Sequence, residues 1–543
     1  MLRIALAQIN PHVGNLYYNQ QLIIDAWRNA ENKNADLVLF PELVTTGYMP
    51  EDLLLKPSFI KSVDNTVEQL IATSHAFRSA ALITTPHFCL QTQTLFNAVH
   101  LIQNGKILAT RYKHHLPNYG VFDEKRYFTS GDMPAPIEFQ NHKLGVMICE
   151  DMWSHDVTDH LASQGAEIFI ALNASPFSQY KDEWRKQHAV RHAQTHHKPF
   201  IYLNQIGGQD DLVFDGYSFI TNKDGNIIHQ CTRFESDISV VEFHNGMITG
   251  DLKQTPQTTD SEIFYGAAVL ATRDYLSKNN IKQVLLGLSG GIDSAIVATI
   301  AVDAIGYENV TGIMMPSPFT SQASLNDAKQ MAKNLRIDYK MIPINGFMTE
   351  MEKSLPSLNG LAHENMQSRA RGNILMTLSN QSGALVLTTG NKSEIAMGYA
   401  TLYGDMCGGF NPIIDLYKTQ VYLMAQWRNE NILSYFKSQS KNIIPDSIIT
   451  KPPTAELRDN QTDQDSLPPY DILDGILNGL VEKDLSVADV VAQGYDHATV
   501  QKVQKLLYFA EYKRKQAAIG PKMTTKAFTR ERRYPIVNGY KDE

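Results

Sequence analysis

Two groups of residues in this chain have the types and spacing to do chemistry. The first is Glu42, Lys113 and Cys149. A thiol attacks a carbonyl only as its thiolate, a carboxylate can take the thiol proton, and an ammonium can stabilise the oxyanion that forms. Each of the three stands where an apolar run ends: Leu39-Phe40-Pro41-Glu42-Leu43, Arg111-Tyr112-Lys113-His114-His115, and Val146-Met147-Ile148-Cys149-Glu150-Asp151-Met152-Trp153. The second group is Ser289-Gly290-Gly291-Ile292-Asp293-Ser294, which follows the apolar run Gln283–Leu288. Glycines let backbone N–H groups approach an anion, and a helix opening there adds a favourable dipole. Hydroxyls flank the glycines and an acid follows in the first helical turn, which suits phosphates and a divalent cation. Taken singly, each feature has a plainer reading. A cysteine that ends an apolar strand is usually buried and inert, and a Gly-rich turn can serve packing alone.

These residues need strand ends to bring them together. The first half supplies strand-like runs at Leu2–Ile9, Leu37–Phe40, Ala81–Thr85, Ala98–Ile102, Leu144–Cys149, Ile168–Leu172, Phe200–Asn204 and Ile238–Phe243. Helical periodicity marks Asn19–Asn32 and Trp184–His197, and Asn104-Gly105 and Asp224-Gly225 signal hairpins. The mixture predicts two sheets stacked between helices. The stretch Asn245–Glu262 is polar, carries a proline and reads as a linker. Beyond it, helices and strands alternate: helix 262–279, strand Gln283–Leu288, helix Asp293–Ile305, strand Val310–Met315, helix 323–335, strand Asp338–Ile342, helix 363–380 and strand Ala384–Leu387. That alternation predicts a parallel sheet with helices on both faces. The domain bounds expected are 1–250, a linker over 251–261, and 262–543. The polar segment Glu456–Tyr470 has the composition of a mobile lid.

Composition narrows the field. The chain has 543 residues, 43% of them hydrophobic, which suits two large α/β domains better than one core. A formal net charge of -8 argues against a dedicated nucleic-acid binder. Four scattered cysteines make no disulfide framework and no zinc set, so a reducing compartment, the cytoplasm, is expected. No signal peptide and no apolar run of ~18 residues is present, so no membrane partner is expected.

No GK[ST] follows the glycines, so the loop is not a Walker A motif. SGGIDS instead resembles the PP-loop of ATP pyrophosphatases. Downstream lie Glu364-Asn365-Met366-Gln367-Ser368-Arg369-Ala370-Arg371 and Val386-Leu387-Thr388-Thr389-Gly390-Asn391-Lys392-Ser393-Glu394. Tyr399, Gly404-Asp405-Met406-Cys407-Gly408-Gly409, Lys418-Thr419 and Lys513-Arg514 follow. With these, the second half resembles the synthetase domain of NAD+ synthetases. The resemblance implies that Gly287, Leu288, Ser289, Gly290, Gly291, Ile292, Asp293, Ser294 and Thr389 bind ATP. It implies that Asp293 and Glu394 coordinate Mg2+, and that Asn365, Glu394, Tyr399 and Lys513 meet deamido-NAD+. Arg371 and Lys418 fit as further charge partners for such anionic substrates.

The order Glu, Lys, Cys in the first half resembles the nitrilase superfamily, and the wording Cys-Glu-Asp-Met-Trp its glutamine amidotransferase branch. This implies Glu42, Lys113 and Cys149 as catalytic residues and Glu124 as an additional acid. Tyr119, Ser175 and Lys181 would hold glutamine. The implied fold is a nitrilase-like four-layer α-β-β-α sandwich followed by a doubly wound parallel-sheet PP-loop domain. Together the two resemblances point to glutamine-dependent NAD+ synthetases. The implied reaction is amidation of deamido-NAD+ through an adenylated intermediate, with ammonia from L-glutamine, giving NAD+, AMP, pyrophosphate and glutamate. It is the last step of NAD biosynthesis, and the family resemblance favours a homo-oligomer. A ligase using only external ammonia would leave the intact Glu42, Lys113 and Cys149 unexplained. An amide hydrolase with a nucleotide sensor would leave the Thr389–Glu394 match unexplained.

Overall fold

The computed structural model describes residues 1–253, 258–540 and 542. The chain divides into two compact units: Met1–Gln209 with Val213–Gln257, and Asp210–Leu212 with Thr258–Glu543.

The first unit holds a seven-stranded and a six-stranded sheet. The first runs in the order Met247–Gly250, Asp237–His244, Leu2–Gln8, Leu37–Leu39, Ala80–Cys89, Thr94–Gln103, Lys106–Tyr112. The second runs Ile227–Gln230, Phe219–Thr221, Phe200–Asn204, Ile168–Asn173, His142–Ile148, Ile137–Phe139. In each, three central strands are parallel and the flanking strands antiparallel. Side chains alternate between the faces of a strand, and the alternation assigns every layer. Leu2, Ile4 and Leu6 pack between the sheets with Leu144, Val146 and Ile148. Their neighbours Ala5, Ala7 and Ile9 face the other way, onto Ile23, Trp27 and Ala30 of helix Leu16–Asn32. On the far side Phe169, Ala171 and Tyr202 meet Val157 and Leu161 of helix His155–Ser163 and Ala189 and Ala193 of Lys181–His196. The order is α-β-β-α, as expected.

In the second unit four parallel strands run in the order Asp338–Met341, Val310–Met314, Val284–Gly287, Leu385–Val386. The helices Ile292–Ile305 and Gln322–Leu335 cross between these parallel strands, and the right-handed rule for such crossovers puts both on one face. The chain then reverses direction, and Gly360–Ser382 covers the other face, where Met366, Ala370 and Leu375 pack on Leu285, Ile313 and Val386. The reversal leaves a crevice between the carboxyl ends of Val284–Gly287 and Leu385–Val386, where ligands bind in such sheets. A helical cluster, Tyr470–Leu477, Val487–Ala492 and His497–Phe509, shares a core with Ala396, Met397 and Tyr417.

One sequence expectation needs correction. Within the stretch Asn245–Glu262, Met247–Gly250 is a strand, because Asn245-Gly246 turns back at φ 49° and 72° and pairs it with Asp237–His244. The next helix opens at Asp260. Of the expected linker 251–261, residues 254–257 lie outside the described residues. No helix among the described residues is long and apolar enough to cross a membrane.

Candidate active sites

Glu42, Lys113 and Cys149 each follow a strand of the first unit: Leu37–Leu39, Lys106–Tyr112 and His142–Ile148. All three are buried. Lys113 Nζ donates to Glu42 Oε1 at 2.6 Å and to Glu124 Oε1 at 2.7 Å. An ammonium has three N–H donors, so one remains for another acceptor. Asn97 Nδ2 also donates to Glu42 Oε1, at 2.8 Å, and the Ala174 N–H reaches Glu42 Oε2 at 3.2 Å. Tyr48 donates to Glu124 Oε1 at 2.7 Å.

Burial would lower the Lys113 ammonium, but Glu124 and Glu42 carry it well above the ordinary lysine value. Burial lifts Glu124 to about 7, against Lys113 and with help from Glu42. Burial also raises the Cys149 thiol well above the ordinary range; Glu42 adds to this and Lys113 opposes it. A thiol raised in this way stays protonated until a base takes its proton. Cys149 itself sits at φ 46°, in the left-handed region that disfavours side chains.

Asp151 ties the loops together. Its Oδ1 accepts the N–H groups of His114 and His115 at 3.0 and 2.8 Å, and its Oδ2 that of Ile148 at 3.0 Å. Among the residues expected to hold glutamine, Tyr119 is exposed and donates to both oxygens of Glu150, at 3.1 and 3.0 Å. Lys181 Nζ lies 5.2 Å from the centre of the Phe122 ring, which meets Tyr119 edge-on. Ser175 is buried, its carbonyl and hydroxyl both accepting from Arg185, at 2.7 and 3.3 Å. Arg185 is in turn paired with Asp215 at 2.7 Å.

In the second unit Gly287, Leu288, Ser289 and Gly291 to Ser294 line an open cleft. Ser289 and Ser294 hydroxyls bond each other at 3.1 Å, and Ser289 Oγ accepts the Gly291 N–H at 3.2 Å. Gly290 has φ +80°, and a Cβ there would stand 2.4 Å from the Ser324 carbonyl oxygen, so only glycine fits. Thr389, Glu394, Tyr399, Arg371 and Lys418 complete much of the lining.

Asn391 organises the acids. Its side chain caps helix Lys392–Met397 by accepting the Glu394 N–H at 3.0 Å, and it donates to Asp293 Oδ1 at 3.0 Å. Lys418 Nζ pairs with Asp293 at 2.5 Å and with Glu394 at 3.2 Å. Burial, with Asp293 and Asp463 adding and Lys418 opposing, pushes Glu394 up to about 8. Burial would lower Lys418, but Asp293 and Glu394 hold it above the usual lysine value.

The segment after Ile448 closes one side of the cleft. Lys451 Nζ donates to the Gly290 carbonyl at 3.0 Å and to Ser324 Oγ at 2.9 Å. Glu456 accepts the hydroxyls of Ser321 and Ser324, both at 2.7 Å. Asn365 and Lys513 lie outside the lining. Asn365 accepts the Thr401 hydroxyl at 2.8 Å, and Lys513 Nζ donates to the carbonyls of Gly398 and Ala400 at 2.7 and 2.6 Å. Both brace the loop that carries Tyr399. The sequence marks none of Asn97, Asp151, Asn391, Lys451, Glu456 and Asp463 as a site residue, although Asp151 and Asn391 stand inside motifs and Glu456 and Asp463 inside the polar segment Glu456–Tyr470.

The carbon-nitrogen hydrolase family model matches residues 3–250, and the NAD synthase model residues 265–517. A glutamine-dependent NAD(+) synthetase of Rhodobacter capsulatus is 45% identical, over 100% of this chain and 99% of its own. The structure of the Acinetobacter baumannii glutamine-dependent NAD+ synthetase, in complex with ADP, is 40% identical. It superposes with a TM-score of 0.78 over 100% of this chain and 99% of its own. That of Cytophaga hutchinsonii, 21% identical, shares the fold at a TM-score of 0.82, over 99% of this chain and 98% of its own. The chain belongs to the glutamine-dependent NAD(+) synthetase family.

Proposed function

We propose that this chain amidates deamido-NAD+ to NAD+ with ATP, using ammonia that its first unit releases from L-glutamine. The observation that carries the reading is the Lys113 ammonium held between Glu42 and Glu124, close enough to Cys149 that their charges shift one another.

Glu42 Oε2 takes the thiol proton as Cys149 Sγ attacks the glutamine side-chain carbonyl carbon. The remaining N–H of Lys113 meets the developing oxyanion. Glu42 gives that proton to the amide nitrogen, so collapse expels ammonia and leaves a thioester; Glu42 then takes a proton from the water that attacks the thioester and returns it to the sulfur as glutamate leaves. Glu124 keeps Lys113 protonated and placed. Lys181 and Glu150, an ammonium and a carboxylate beside Tyr119, match the opposite charges of the amino acid's α-groups.

In the second unit the loop amides and hydroxyls of Ser289–Ser294 receive the pyrophosphate of ATP. The nicotinate carboxylate attacks the α-phosphate, pyrophosphate leaves, and ammonia displaces AMP from the adenylate. Asp293 and Glu394 supply hard oxygen ligands on one rim, their charge now balanced by Lys418, and this donor set fits Mg2+. Bound there, the ion would neutralise charge on the phosphates. Thr389 and Tyr399 border the same cleft, and Asn365 and Lys513 brace the loop that carries Tyr399, where with Glu394 and Tyr399 they would meet deamido-NAD+.

The bounds 1–250 and 262–543 for the two activities, assembly as a homo-oligomer and a cytoplasmic location belong to the same reading. All four cysteines are free, which suits a reducing compartment. The test is NAD+ formation from deamido-NAD+, ATP and Mg2+, run with glutamine and separately with ammonium. Cys149→Ala loses only the glutamine reaction. Loss of both, or of neither, contradicts the assignment.

A further inference from the structure

We infer that Asp151 is the positioning residue of the glutamine site, its carboxylate fixing the backbones beside Lys113 and Cys149 against each other across the two sheets. The inference rests on the reading of Cys149 as the nucleophile. Lys113 follows the edge strand Lys106–Tyr112 of the seven-stranded sheet, and Cys149 follows His142–Ile148 of the six-stranded one. Nothing in the chain's local order keeps two such loops in register. Asp151 does so with three bonds, from the N–H groups of His114, His115 and Ile148, at 3.0, 2.8 and 3.0 Å. Two of these donors come directly after Lys113 and the third directly before Cys149.

The side chain is 1% exposed. A buried carboxylate is costly unless its oxygens are occupied, and three amide donors occupy these. Burial still lifts its carboxyl to about 6, against the bonds from His115 and Ile148. Cys149 stands at φ 46°, a conformation that a non-glycine residue keeps only where its surroundings impose it. By reaching back to the Ile148 N–H, Asp151 closes the turn around that cysteine. Asparagine has the same shape but one carbonyl oxygen. Its amide nitrogen would face a backbone N–H, donor against donor, on one side or the other.

The test is Asp151→Asn in the full chain. A displacement of about 1 Å at a reacting pair can cost about 100-fold, and the glutaminase kcat should fall by about that factor. KM for glutamine and ammonium-dependent NAD+ synthesis should stay within about threefold, the precision at which single contacts are read. The pH profile of Cys149 alkylation by iodoacetamide should also move, because the thiol no longer keeps its place relative to Glu42 and Lys113. A residue that served folding alone would lower the yield of active protein but leave that profile and the kcat per titrated thiol unchanged, which overturns the inference. Should the variant not fold, hydrogen exchange of wild type decides. Slow exchange in peptides spanning 113–116 and 147–150 supports the clamp, and exchange at the rate of exposed loops overturns it. Glutamine hydrolysis by Cys149→Ala would remove the nucleophile reading and this inference with it. Normal hydrolysis by Asp151→Asn with an inactive Cys149→Ala removes this inference alone.

Discussion

Lys418 pairs with Asp293 at 2.5 Å, burying its ammonium among the acids that border the loop Ser289–Ser294. On the proposed reading of that loop, the lysine neutralises a rim that would otherwise repel a triphosphate. Removing one partner of a buried pair leaves the other uncompensated. Lys418→Met should lower NAD+ synthesis from either nitrogen source by about 100-fold, since an unbalanced acidic rim lowers the local concentration of an anionic substrate by about 10–1,000-fold. Glutamate release by the first unit should persist. Parallel assays of NAD+ and glutamate separate the outcomes, and equal loss of both products counts against the assignment.

Lys113 offers the corresponding experiment in the first unit. Without it, Glu42 and Glu124 are two buried carboxylates with no cation between them. Lys113→Met should cost about 3–5 kcal/mol of stability and abolish glutamine hydrolysis. Adding Glu124→Gln should restore much of the melting temperature but none of the hydrolysis. Restored hydrolysis would mean that the ammonium only balances charge.

Acid should destabilise the first unit through histidines. Burial lowers His100 to about 3 and His192 to about 4, so both are neutral in the folded chain. An unfolded histidine titrates near ~6.5, so between ~6.5 and these values the unfolded chain binds more protons. Their neutral burial carries no penalty above that window, and stability falls as pH drops through it, by up to ~1.4 kcal/mol per pH unit for each group. His192→Gln cannot take up this proton. Its melting temperature should change less steeply between pH 6.5 and 4 than that of wild type; parallel curves would refute the assignment.

The segment 451–457 should govern nucleotide residence. Glu456 holds it to Ser321 and Ser324, and Lys451 to Gly290. Glu456→Gln weakens charge-assisted bonds of ~1.5–3 kcal/mol each, so KM for ATP should rise about tenfold with little effect on glutamine hydrolysis. Stopped-flow release of a fluorescent ATP analogue checks this, and an unchanged off-rate would make the segment a static wall.

Much of this architecture can be read from the residue order. Strands such as Leu37–Leu39, Ile168–Asn173 and Phe200–Asn204 are buried on both faces, so they appear as continuous apolar runs. Lys106–Tyr112 and Met247–Gly250 are edge strands with exposed side chains, and hydropathy alone passes over them. The reactive residues are legible because each carries its context within a few positions. Lys451 is not, since its partner Gly290 lies 161 positions away and a lone lysine in a Pro-rich loop has no pattern to betray it. Asn97 is silent for the same reason, 55 positions from Glu42. Asn365 and Lys513 stand inside motifs, but the sequence does not show their bonds to Thr401 and to the carbonyls of Gly398 and Ala400, which bring distant positions together.

The left-handed backbone at Cys149 has a bearing on which replacements can be interpreted. Branching at Cβ makes that conformation worse, whereas asparagine, aspartate and glycine enter it readily. A saturation library at this position would therefore sort along two axes. Folded yield would follow tolerance of the turn, with glycine and asparagine high and valine, isoleucine and threonine low. Glutamine hydrolysis would follow sulfur chemistry, with cysteine alone. Serine would keep the turn without the thiol, whereas threonine, also a hydroxyl, would lose both, so the inactivity of the two would have different origins.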